Sequence, residues 1–178
     1  MLKILTAAAT AVALLTPSAP AAAAPVPAAV ASAPNMQDEA FLIAAHQSHL
    51  FEIAGGQIAE TRGQTAEVRE LGAHFAQSHI VLDRAVTATA ARVGVVLPSQ
   101  PDPAQRRRLA QYSNYDAERF DILYVLTQIL GHQAALADGD RETREGADPR
   151  VVKLVRDSRP MIAGHHQTLL SLRRTLLP

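Results

Sequence analysis

Apolar residues recur at spacings of three and four along most of the chain after position 36, and that period predicts helices. A first block runs from about Gln37 to Arg62, with Phe41, Leu42, Ala45, Ile53 and Ile58 on its apolar positions. Asp38 and Glu39 put negative charge where a helix N-terminus favours it. The pair Gly55-Gly56 lowers helix stability at mid-length, so it predicts close approach of a second helix. Arg62-Gly63-Gln64 is a short break. Block two, about Thr65 to Val93, carries Val68, Leu71, Phe75, Leu82, Val86 and Val93 on one stripe and stops at Gly94.

Pro98, Pro101 and Pro103 then mark a loop. Asp102-Pro103 reads as a cap with a first-turn proline, opening a short helical piece over Ala104 to Gln111. Block three, about Tyr115 to Ala137, is apolar nearly all round, including Leu126 and Leu130. Gly139 to Ala147 reads as a polar connector. Block four begins at Asp148-Pro149 and carries Val151, Val155, Ile162, Leu169, Leu172 and Leu176, with Pro160 inside it. A proline there removes one helical hydrogen bond and predicts a kink. Val93 to Leu97 is too isolated to build a sheet. The expected fold is therefore all-α, a four-helix bundle over residues 37–178. Two connectivities stay open. If Ala104 to Gln111 extends block three, the order is up-down-up-down. If Gly94 to Asn114 spans the bundle, the order is ferritin-like.

Residues 1–34 follow another pattern. They hold one charge, Lys3, no glycine and 5 of the 11 prolines. An apolar run from Ile4 to Leu15 ends before Pro17, and small residues follow from Ala19 to Ala24. This is the three-part form of a secretory signal peptide, assigned to residues 1–24. The apolar run is too short for a membrane anchor, which needs about 20 residues. Residues 25–36 read as a disordered Ala/Pro leader. The expected destination is the periplasm or the exterior.

Composition narrows the chemistry. The chain has 17 basic and 17 acidic residues and no cysteine. Zero net charge argues against a nucleic-acid partner. The missing cysteine removes disulfides, thiolate metal sites and cysteine nucleophiles. Ser78-His79 lacks the strained turn and oriented acid of a serine nucleophile, no glycine-rich phosphate cradle occurs, and Arg106-Arg107-Arg108 reads as a solvated face. No catalytic residue is assigned.

Polar side chains on the core stripes are more informative. His79 follows Phe75 by four and precedes Leu82 by three, so it points to the core. His165 holds the same relation to Ile162 and Leu169. Glu52 lies in line with Ala45, Gly56 and Ala59, a face of small residues. Asp121, Tyr124, Gln128 and His132 form one polar line on block three. Each helix thus offers one inward candidate: Glu52, His79, His132 and His165. Three imidazoles and a carboxylate suit one divalent transition metal such as Zn, Cu, Fe or Ni. The same groups can instead set helix register through buried hydrogen bonds. His46, His49, His74 and His166 read as boundary or surface positions, with His46 and His49 an alternative i,i+3 pair for an ion.

Several separated motifs carry a family resemblance. They are Glu52-Ile53-Ala54-Gly55-Gly56-Gln57-Ile58-Ala59, His79, Gly94-Val95-Val96-Leu97-Pro98, Phe120-Asp121-Ile122-Leu123-Tyr124, Gly131-His132-Gln133, Arg159-Pro160 and His165. In this order they resemble the bacterial domain of unknown function 4142, exported proteins grouped with ferritin-like bundles and labelled predicted outer-membrane proteins. The resemblance implies the crossover topology and no defined activity. Nothing in the chain reads as alternating barrel strands. Di-iron proteins of ferritin-like fold use Glu-x-x-His on two helices. Here Ala76 stands three before His79, Ile162 three before His165 and Ala163 three before His166, so both bridging carboxylates are missing. Ser78 stands where the family pattern favours aspartate. The leading functional reading is a non-catalytic, stress-related or structural protein of the cell envelope. The alternative is a metal-binding bundle using Glu52, His79, His132 and His165.

Overall fold

The computed structural model describes residues 32–177. The signal peptide expected over residues 1–24 and residues 25–31 of the expected leader lie outside the described residues. The rest is all-α, and five helices replace the expected four: α1 (Met36–Arg62), α2 (Ala66–Val93), α3 (Pro103–Asn114), α4 (Ala117–Glu145) and α5 (Pro149–Leu176). Among the described residues no helix is long and apolar enough to cross a membrane.

Local chemistry sets the boundaries. Asn35 caps α1 in a reciprocal box with Asp38, and Thr65 caps α2 through the Val68 amide. Gly94 ends α2 in the left-handed conformation, with φ of 80°. Asp102 and Pro103 open α3 as expected, but that helix runs on to Asn114 and stands as a separate element. Asp148 and Pro149 open α5, which continues through Pro160. The connector expected over Gly139 to Ala147 is helical up to Glu145. Gly139 remains helical because α5 packs on it: a Cβ there would sit 3.1 Å from Val155 Cγ1. Packing at the crossing outweighs a helix propensity deficit of about 1 kcal/mol.

End contacts give the chain its directions. Asn35 donates to the Glu145 carbonyl, and Asp38 accepts from the Ala147 and Asp148 amides. The start of α1 therefore meets the α4–α5 turn. At the other end Arg62 donates to the carbonyls of Ser113 and Tyr115, where α3 gives way to α4. Arg150 donates to the Arg92 carbonyl at the end of α2. Hence α1 is antiparallel to α2 and α4, while α2 and α4 run the same way. The segment between them climbs the length of the molecule and contains α3, which packs on α1.

The closest helix pair is α1–α2. A Cβ on Gly56 would lie 2.5 Å from the Gly72 carbonyl, and one on Gly72 would lie 2.6 Å from the Gly56 carbonyl. The small-residue face on α1 thus admits the α2 backbone. Of the large apolar residues expected in the α1 core, Leu42 is fully buried, whereas Phe41, Ile53 and Ile58 are only partly buried. Block three is also less uniformly buried than its composition suggests: Leu130 is 67% exposed.

Two apolar clusters hold the bundle. One gathers Phe75, Tyr112, Phe120, Tyr124, Ile129 and Leu169 with their neighbours. The other contains Leu42, Val86, Ala90, Val151 and Leu154. On α1, α2 and α5 the histidines His49, His79 and His165 lie between the segments that supply the two clusters. A polar layer therefore divides the core.

Candidate metal centre

The four long helices each supply an imidazole to this layer. His79, His132 and His165 are buried, and each offers one nitrogen within 4.8 Å of the others. His132 Nδ1 lies 2.9 Å from the Gln128 carbonyl, to which it donates, and its Nε2 lone pair faces His165 Nδ1 at 3.3 Å. For this one pair the separation is close to the edge of a tetrahedron of nitrogens about 2.0–2.1 Å from a central ion. The carbonyl contact is the type of second partner that fixes a ligand's tautomer. Phe75 stacks on His165 with ring centroids 4.5 Å apart, holding that ring in place.

Both His79 Nε2 and His165 Nε2 are buried and have no hydrogen-bond partner. A buried polar atom left unpaired costs about 1–3 kcal/mol. Burial also lowers the imidazole pKa values, to about 4 for His132 and His165 and well below the usual value for His79. Neighbouring imidazoles push His79 and His165 the same way. The three rings are therefore neutral at pH 7 with lone pairs free of competing protons, the state an ion requires. These residues fit a first-row transition metal.

Glu52 is buried on α1 but stands outside the three-histidine group. A Cβ on Gly131 would lie 3.6 Å from its Oε1, so the carboxyl faces α4. Burial raises its pKa to about 8, against the opposing effect of the Gln128 amide. Its Oε2 has no partner, nor do the Tyr112 and Tyr124 hydroxyls or the Gln128 amide. Burial and the Glu52 charge both push the two tyrosine pKa values up.

His49 and His46 are both misplaced by the sequence reading, and His49 bears on the layer. It is buried, not at the boundary, and its Nδ1 lies 2.9 Å from His79 Nδ1. Burial lowers its pKa to about 4. The signal was present: Ala45, His49, Glu52 and Gly56 follow one another by four, three and four. His46 is buried as well. Its Nδ1 meets Asp83 at 2.7 Å and its Nε2 meets the Pro98 carbonyl at 2.9 Å. Both nitrogens are engaged, which removes the His46–His49 pair as an ion site. Asp121 accepts from Gln64 N, Thr65 N and Thr65 Oγ1, so this member of the polar line anchors the start of α2. His74 is exposed and His166 partly so.

A cavity of about 470 Å³ reaches this layer between α1 and α4. His49, Glu52, His79 and His132 are among its polar lining, with Arg108, Asp138 and Arg159, while Leu82 and Ile162 are among its apolar walls.

The fold and the layer together define a histidine-cored helical bundle. The chain matches the family described as domain of unknown function (DUF4142) over residues 22–172, and it belongs to that family. Among solved structures it is similar to the crystal structure of a DUF305 fragment from Deinococcus radiodurans. The two share 20% identity with a TM-score of 0.71, over 81% of this chain and 99% of that one. No curated protein matches the chain.

Proposed function

We propose that the protein is an exported, non-catalytic metal-binding bundle that holds one transition-metal ion between His79, His132 and His165 in the cell envelope. The observation that carries this reading is the convergence of three buried imidazoles, each offering one nitrogen within 4.8 Å of the others, with His79 Nε2 left unpartnered. A layer serving only to fix helix register would have its polar atoms paired. Three neutral imidazoles from three helices are a donor set for Zn, Cu, Ni or Fe. Bound there, the ion would supply positive charge and crosslink α2, α4 and α5. Gln128 would orient His132 through its carbonyl, and Phe75 would hold His165 against rotation.

Export is supported by Lys3, the apolar run Ile4 to Leu15 and the small residues that follow. The climbing connection between α2 and α4 supports the ferritin-like order. In that reading α1, α2, α4 and α5 are the four-helix bundle and α3 is an accessory to its long connection.

The test is elemental analysis of the mature protein after separate loading with Zn, Cu, Ni and Fe and removal of free ions. One equivalent of a single metal is expected, lost in His79→Ala and in His165→Ala. Wild-type protein that retains no metal would overturn the reading, as would a His79→Ala variant that keeps it. Under a packing role the same variant would only lose stability, by about 1–3 kcal/mol.

A further inference from the structure

Five of the seven histidines form a continuous series of neighbouring rings. From the surface inward, His74 and His165 have centroids 5.5 Å apart, His165 and His79 5.3 Å, His165 and His132 5.4 Å, and His79 and His49 5.1 Å. His74 is the exposed member. It lies in a groove between α2 and α5 that is also lined by Glu67, Glu70, Thr168 and Ser171. On α2, Glu67, Glu70 and His74 are spaced by three and four, so they share one face.

We propose that this groove is the loading port of the metal centre and that His74 passes the ion to His165. The proposal rests on the ion-binding reading above. A hydrated divalent cation would meet two carboxylates, hydroxyls and an imidazole in the groove, and no lysine or arginine lines it. The cavity between α1 and α4 is a poorer route for a cation. Arg108 and Arg159 line it against one ionised carboxylate, Asp138, because Glu52 keeps its proton at neutral pH. Both routes have apolar walls, Leu71 and Leu172 in the groove, so charge separates them: an excess of positive charge opposes a hydrated cation, whereas the acidic rim of the groove concentrates it. His165 is the ring that links port and centre. It touches His74 on one side and His79 and His132 on the other, and its Nε2 is buried without a partner. Transfer is ligand exchange with no change in oxidation state: the bond from the ion to His74 breaks as a bond to His165 forms. Neighbouring rings at this spacing lie within reach of one ion with metal–nitrogen bonds of about 2 Å.

A residue on the path, but outside the final site, changes the rates of loading and release by one factor and leaves the affinity unchanged. The experiment follows Co(II) uptake and release by stopped-flow absorption in the mature protein. His74→Ala and the double variant Glu67→Gln/Glu70→Gln are expected to slow both rates about tenfold or more. Stoichiometry and Kd stay at wild-type values. Wild-type uptake should slow with added salt, and the double variant should lose most of that dependence. Leu130→Trp, which narrows the cavity between α1 and α4, should leave the rates unchanged. Wild-type rates in His74→Ala, or slow uptake in Leu130→Trp, would overturn the port. A changed Kd in His74→Ala would make it a ligand and overturn the port too. If His79→Ala abolishes Co(II) binding while His74→Ala loads normally, the port fails and the metal centre stands. If wild-type protein takes up no Co(II), the metal centre fails and the port with it.

Discussion

At the scale of single residues, burial sets the chemistry of the polar layer. Glu52 keeps its proton at neutral pH because its carboxyl has no cation beside it and little water. Glutamine has nearly the same shape as a protonated glutamic acid, so Glu52→Gln is expected to leave stability at pH 4.5 within about 0.5 kcal/mol of wild type. The two should diverge above that pH. Free carboxyls ionise near 4.5 and Glu52 near 8 when folded, so the folded state binds the extra proton between these values. Stability conferred at low pH is thus lost as pH rises through that window, and the glutamine variant escapes the loss. Denaturant titrations of both proteins at pH 4.5 and pH 9 check this; an equal change in both would show that Glu52 is not the group responsible.

At the scale of elements, the same substitution should have opposite signs on two helices. A Cβ at Gly56 would lie 2.5 Å from the Gly72 carbonyl and 2.9 Å from the Ala76 amide nitrogen, both backbone atoms that cannot swing aside. Gly56→Ala must push α1 away from α2, with an expected loss of about 3 kcal/mol or more. Gly164 lies inside α5 with nothing within 4 Å of the added Cβ. Gly164→Ala should gain about 0.5–1 kcal/mol by restricting the unfolded chain and favouring helix. Thermal melts of the two variants should bracket the wild type, and a destabilised Gly164→Ala would contradict the open surroundings of that position. Asp148 caps α5 and pairs with Arg150, so Asp148→Ala should lose about 1–2 kcal/mol.

Across the whole molecule, opposing titrations set an optimum. Unfolded histidines bind protons below 6.5, whereas His49, His132 and His165 wait until about 4 when folded, and burial also holds His79 well below its usual value. The unfolded chain then holds more protons, and stability falls as pH drops from 6.5 towards 4. Glu52 and Glu142 act in the other sense, with folded values of about 8 and about 7. Burial raises Glu142 most, helped by the adjacent Asp38 carboxyl. Between 4.5 and 6.5 four histidines outweigh two carboxyls, and above 6.5 only the carboxyls remain. The ion-free protein is expected to be most stable near pH 6.5. Melts from pH 4 to 9 in chelator-treated buffer test this, and a maximum at pH 8 or above would contradict it. A bound ion should raise the melting temperature with the logarithm of its concentration.

Much of this molecule was legible in one dimension because the causes are local. Helix starts at Asp102-Pro103 and Asp148-Pro149, the stop at Gly94 and the stripes of α2 and α5 depend on neighbours within a turn or two. The inward aim of His79 and His165 followed from Phe75, Leu82, Ile162 and Leu169 in the same way. The close α1–α2 approach followed from Gly55-Gly56. What depended on other helices was not legible. The run over Gly139 to Glu145 stays helical because α5 packs on it. His49 and His46 are buried because His79, Asp83 and the Pro98 carbonyl come to meet them. Glu52 stands apart from the three histidines because its carboxyl faces α4, a matter of helix register that spacing within α1 does not encode. The three-and-four period of the chain fixes which residues face inward on each helix. Only the tertiary structure decided which of those residues meet, since a one-turn shift of about 5.4 Å between helices preserves every stripe and rearranges every contact between them.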